Sequence, residues 1–148
     1  MKTGALWLDD AVWIGSVRVA SSFFHRLRGL LGCRTLGPGA GMLIESCSAV
    51  HTVGMRFTLD LIFLDAQWRI VACVPGVRPG RWCVPGGLRA RQVVEVESGW
   101  LDLTRASIGA HLRWVGERGD PQISLTGRPE SGRKSLDSPR PRVNSSGV

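Results

Sequence analysis

The chain has 148 residues, 43% hydrophobic and 21% charged, with 19 basic against 12 acidic side chains and a formal net charge of +7. That length suits one domain with a real core, and no window approaches the roughly 18 consecutive apolar residues that a membrane-crossing helix needs. Lysine occurs only at Lys2 and Lys134, so the basic excess is arginine, whose forked guanidinium suits phosphates and carboxylates alike.

Taken in chain order, the pattern begins with ALWL and VWIGSVRV around Asp9 and Asp10. Aromatic and β-branched residues on either side of a turn-prone pair predict an N-terminal hairpin, with Trp7 and Trp13 closing one end of the core. The same two aspartates interrupt what would be the apolar run of a signal peptide. The expected location is therefore the cytoplasm, where Cys33, Cys47, Cys73 and Cys83 would be free thiols.

Ser21 or Ser22 offers an N-cap, and Phe24, Leu27 and Leu31 recur at helical spacing, which predicts a short helix ending at Gly32. GPGAG over 37–41 is a loop, and MLIE begins a strand. Residues 47–65, CSAVHTVGMRFTLDLIFLD, crowd chemically capable side chains against an apolar run, and LDLIFL with RIVACV predicts a hairpin covered on both faces.

Proline and glycine dominate residues 75–87, an irregular excursion carrying Arg78, Arg81 and Trp82. The tryptophan is expected to cap an open end of the core. RQVVEVES alternates as a strand does, with the Glu95 side chain expected in solvent. LDLTRASI predicts a second short helix before Gly109, and HLRWV a last strand. The fold class expected is mostly β (α+β), a compact, partly closed antiparallel barrel-like sheet with two short helices. Residues 1–116 form this single domain. Residues 117–148 turn to Ser, Pro, Gly and Arg with few large apolar groups, and are expected to be a disordered tail.

RLRGLLG, GMLI, CSAVHTVGMRFTLDLIFLD and VVEVESG, in this order and spacing, resemble the small bacterial and archaeal family of domain of unknown function 192. The resemblance implies a compact, mostly β domain and supplies no established activity. Carried over residue by residue, the family-like positions are Arg26, Gly29, Leu30, His51, Thr52, Met55, Asp60, Glu95 and Gly99. Cys47 resembles a cysteine that many members place before the histidine. The chain departs at Gly109-Ala110-His111, where members commonly have Gly-Asp, and at Trp68, which replaces a glycine-containing turn.

The candidate site residues are thus Arg26, Cys47, His51, Thr52, Met55, Asp60 and Glu95. Imidazole titrates near neutrality, so His51 is the natural proton-transfer group, or else a structural histidine. Cys47 lies four residues earlier, on the order of 13 Å away along a straight strand, so a thiolate–imidazole pair requires a bend; the alternative is a buried, inert cysteine. Asp60 stands between two leucines and needs a donor or a cation, with Arg26, Arg28 and Arg56 available. The short paired spacings of a zinc site are missing, and no cofactor is expected.

The reading is a non-catalytic binding module whose polar recess near His51 and Asp60 takes a small anionic or polar ligand or a protein partner. Two alternatives stand beside it. One is an enzyme, a hydrolase or redox-active protein, working through Cys47 and His51 or through His51 and Asp60. The other is nucleic-acid binding through surface arginines, disfavoured because no cluster resembles a recognition helix or basic arm.

Overall fold

The computed structural model describes residues 2–20, 30 and 33–117. The helix expected before Gly32, Arg26 with it, and the tail from residue 118 onward lie outside the described residues.

Among the described residues there are nine strands: β1 (Thr3–Leu8), β2 (Ala11–Ala20), β3 (Ala40–Glu45), β4 (Ala49–Val50), β5 (Leu59–Leu64), β6 (Ile70–Val77), β7 (Val84–Pro85), β8 (Gln92–Glu97) and β9 (Leu112–Gly116). Seven form one sheet in the order β6-β5-β8-β3-β2-β1-β9, and β4 with β7 forms a separate ribbon. The hairpin of β1 and β2 turns at Asp9 and Asp10, both in the left-handed region at φ 51° and 59°, a geometry that favours aspartate over β-branched residues. The β5–β6 hairpin turns on Asp65, whose Oδ1 accepts from the N–H groups of Gln67 (2.8 Å) and Arg69 (3.0 Å).

Two expectations are corrected. The sheet is mixed and open rather than an antiparallel near-barrel: β2 and β3 run parallel, and the edge strands β6 and β9 come together at an isolated bridge between Arg69 and His111. Further closure along β6 is opposed by Pro75, which has no N–H to give, and by a bulge at the same place. The second helix shrinks to one 3-10 turn, Leu103–Arg105, capped by Asp102. The expectation that both hairpin strands are covered on two faces holds for β5, buried at all six positions, but not for the half-exposed edge strand β6.

The sheet separates two apolar clusters, because alternate residues of a strand point to opposite faces. One contains Leu43, Ile62, Leu64, Val94 and Val96 with Leu6, Ile14, Val17 and Leu112 from the N-terminal hairpin and β9. The other contains Met42, Ile44, Leu59, Leu61, Phe63 and Val93 with Leu30, Val50 and Val84. The second face is therefore roofed in part by the β4–β7 ribbon, whose strand β4 is flanked in sequence by Cys47, His51 and Thr52.

Candidate anion-binding site

The ribbon is seated by contact and by backbone pairing. Val50 and Val84, opposite each other in register, are each buried. Cys47 N–H donates to the Arg91 carbonyl (2.8 Å) and Gly86 N–H to the Ser48 carbonyl (2.9 Å). A Cβ on Gly86 would stand 2.2 Å from the Phe63 ring, so glycine is required where the ribbon crosses β5. Nothing in a two-residue strand pattern signals this long-range pairing.

Thr52 follows the ribbon strand β4 and is fully buried. Its N–H donates to the Arg81 carbonyl (2.8 Å), and its carbonyl accepts from Gly80 N–H (2.9 Å). Its hydroxyl donates to the Arg78 carbonyl (2.7 Å) and accepts from Arg81 N–H (3.0 Å). Every polar group of this one residue is spent on the 78–81 loop, which is thereby held in a single shape. A buried threonine so committed is a positioning residue, with nothing left for a ligand.

Asp60 does the same work from the other side of the loop. It is 3% exposed, and its Oδ1 accepts from Gly76 N–H (2.8 Å) and Ser98 Oγ (2.8 Å) while Oδ2 faces Gly99 N–H (3.4 Å). The arginine partners expected for it are replaced, among the described residues, by these three neutral donors. The register of β5 on β6 slips between Leu59–Val77 and Leu61–Val74, which places a bulge at Pro75 and Gly76. Gly76 takes a positive φ of 67° there, and Asp60 satisfies its N–H. Gly76 and Ser98 went unnoticed as sequence features, although Pro-Gly inside an apolar strand is the mark of a bulge.

The bulge and the pinned loop together wall a recess of about 410 Å³, lined by Val74, Pro75, Gly76, Val77, Arg78, Arg81 and Val84. Its apolar floor carries two exposed arginines at the mouth, a combination suited to a phosphate or carboxylate. A second recess, of about 760 Å³, lies beyond the other end of the ribbon and is lined by Glu45, Ser46, Cys47, Ser48, Ala66, Trp68, Ala90, Arg91 and Gln92.

The remaining candidates do not converge. Cys47 lines the second recess and its thiol donates to the Ala49 carbonyl (3.1 Å), whereas His51 is exposed and lines neither recess. Met55 is half-buried against the second cluster. Glu95, expected in solvent, is 5% exposed, because β8 lies between β5 and β3 and both of its faces are covered. Its neighbours in register are Met42 and Leu61, so it shares their face and points away from Asp60, whose partner in register is Val96. Burial lifts its carboxyl to about 7. Among the described residues neither a donor nor a cation meets it. Trp82, expected to cap the core, is 84% exposed; the backbone before it is held by Thr52 and turns its ring outward.

No group of three potential ligands could hold a metal ion among the described residues, and no helix there is long and apolar enough to cross a membrane. The profile of domain of unknown function 192, described as Uncharacterized ACR, COG1430, matches residues 8–114. A UPF0127 protein of Thermococcus sibiricus is 33% identical over 107 residues, covering 70% of this chain and 68% of its own. One from Pyrococcus horikoshii is 30% identical over 105 residues, covering 69% and 90%. The fold resembles the crystal structure of a Novosphingobium aromaticivorans protein of unknown function, with TM-score 0.61 and 17% identity over 76% of this chain and 84% of that one. It also resembles that of a Sinorhizobium meliloti protein designated only a candidate transcription regulator, with TM-score 0.63 and 19% identity over 76% and 92%.

Proposed function

The chain belongs to the family of domain of unknown function 192, and we propose that it is a non-catalytic binding module taking a small phosphate- or carboxylate-bearing ligand at Arg78 and Arg81. The observation that carries this reading is the commitment of Thr52, which fixes Arg78, Gly80 and Arg81 by four hydrogen bonds. A loop ordered before the ligand arrives loses less entropy on binding. Asp60 supports the same recess by holding Gly76 on its wall.

Two of the family-like polar residues, Thr52 and Asp60, are on this reading positioning residues, and the contacting groups are arginines. Catalysis by a cysteine and a histidine needs the two within hydrogen-bond reach, and here the thiol is turned to the Ala49 carbonyl in a recess that His51 does not line. We place the protein in the cytoplasm, whose reducing conditions suit four cysteines that form no disulfide among the described residues. The domain proposed runs over 1–116; Glu117, the last described residue, is still tied to β1 through its N–H and the Thr3 carbonyl (3.1 Å).

Calorimetric titration with inorganic pyrophosphate and with citrate tests the reading. Saturable binding that weakens at least about tenfold in Arg81→Ala and in Arg78→Ala, and stays within about twofold in His51→Ala, is the expected result. Binding that is equal in wild type and both arginine variants contradicts it.

A further inference from the structure

The outward side of the ribbon has a second property that the recess does not use. Between Ser46 and Gln92 the chain carries six arginines, all exposed, of which Arg78, Arg81, Arg89 and Arg91 flank β7 in sequence, and His51, also exposed, follows β4. The two acids of that stretch, Asp60 and Asp65, are 3% and 8% exposed and engaged with backbone donors. The exposed side chains on either side of β7 are thus positive, bordered at the second recess by Glu45. Other acids stand on other elements, with Asp9 and Asp10 at the far hairpin and Asp102 at the 3-10 turn.

Two large apolar side chains project from this positive ground, Trp82 at 84% and Leu88 at 97% exposure. They flank β7, one before it and one after it. Five residues of chain lie between them, so their backbones stand no more than about 20 Å apart, close enough to meet one surface together. Neither hangs on a loose loop. Thr52 holds Gly80 and Arg81 immediately before Trp82. On the other side, Ala90 N–H closes a turn on the Gly87 carbonyl (3.2 Å), and the Arg91 guanidinium donates to the Leu88 and Ala90 carbonyls (2.9 and 2.8 Å). The inward side of the ribbon is already occupied, with Val50 and Val84 in the core and Gly86 against Phe63.

We infer that the outer face of the β4–β7 ribbon docks on an anionic phospholipid surface, with Trp82 and Leu88 entering the headgroup layer and the surrounding arginines meeting its phosphates. Basic side chains around exposed apolar tips match such a surface in both charge and polarity. A single-stranded nucleic acid fits less well, because it asks for successive aromatic platforms and the second tip is aliphatic. The inference goes beyond the small-ligand recess, although Arg78 and Arg81 border both; Trp82 and Leu88 do not line the recess.

Flotation of the full chain with vesicles tests it, comparing mixed phosphatidylcholine and phosphatidylglycerol with phosphatidylcholine alone. Binding to the mixed vesicles only is expected, reduced at least about tenfold in a Trp82→Ala, Leu88→Ala double variant and about fivefold in Arg89→Ala. Because the tips are exposed, the double variant keeps its fold, checked by circular dichroism, and keeps its affinity for pyrophosphate. Equal flotation of wild type and double variant overturns the inference, as does the absence of flotation or tighter retention on a single-stranded oligonucleotide than on the mixed vesicles. Each of these results leaves the pyrophosphate titration to judge the recess by itself.

Discussion

Asp60 and Glu95 lie on adjacent strands, both nearly sealed from water, yet they live under opposite conditions. Asp60, on one face of the sheet, accepts from Gly76, Ser98 and Gly99 and keeps a β-bulge in place. Glu95, on the face roofed by the ribbon, sits opposite Met42 and Leu61 and is lifted toward neutrality by burial. The difference shows that burial by itself says nothing about role. What a buried carboxylate does depends on the donors its neighbours offer, and among the described residues one face offers backbone N–H groups and a serine hydroxyl while the other offers methylene and thioether.

The roof is what makes the second face apolar, so the largest expected effect comes from unseating it. Gly86→Ala drives a methyl group into the Phe63 ring and is expected to cost about 3 kcal/mol or more by urea denaturation. A loss under about 1 kcal/mol would mean that the ribbon does not lie on β5 as described.

Glu95 supplies the next test, through pH. Its folded pKa of about 7 lies above its ordinary value of 4.5, so the folded state keeps a proton that the unfolded chain releases. The stability linked to that proton is fully present below about pH 4.5 and is lost as pH rises through about 7, a change of roughly 3–4 kcal/mol. In Glu95→Gln this segment of the pH–stability curve is expected to flatten, and the variant gains on wild type above neutral pH. An unchanged curve would show that Glu95 is solvated or paired when folded.

On the opposite face, Asp60→Ala orphans three donors and is expected to cost about 2 kcal/mol, with faster hydrogen exchange at Gly76. Asp60→Ala that leaves the Gly76 amide protected would separate the carboxylate from the bulge. The smallest effect falls at Thr52→Val, which keeps the shape and the three backbone bonds but loses the two made by the hydroxyl, about 1 kcal/mol. There the change in ligand affinity should exceed what the change in stability would suggest.

Much of the sheet was legible because local pattern and final structure agree. The apolar run LDLIFL became the wholly buried β5, VVEVE became β8, and the Asp9-Asp10 turn closed the first hairpin. The misreadings share a physical cause, namely dependence on partners distant in sequence. Glu95 looked solvent-facing because alternation in β8 is visible locally, while its cover on the second face comes from other elements. Asp60 was expected to meet a donor or a cation, and which donors it meets, the N–H groups of Gly76 and Gly99 and the Ser98 hydroxyl, depends on segments distant in sequence. The open sheet follows from a parallel β2–β3 pair and a bulged, proline-bearing edge, and only the latter is written in the sequence. Thr52 and Asp60 were singled out by the family-like pattern, but their work of shaping a loop and a bulge was not visible until the pairing was known.

The most direct test of the account is an amide NMR titration of the full chain with inorganic pyrophosphate, run on wild type and on Thr52→Val. Saturable shifts centred on residues 76–81 are expected in wild type, with weaker, broadened responses at the same residues in the variant. Shifts centred on Cys47 and Trp68, or identical responses in the two proteins, would contradict it.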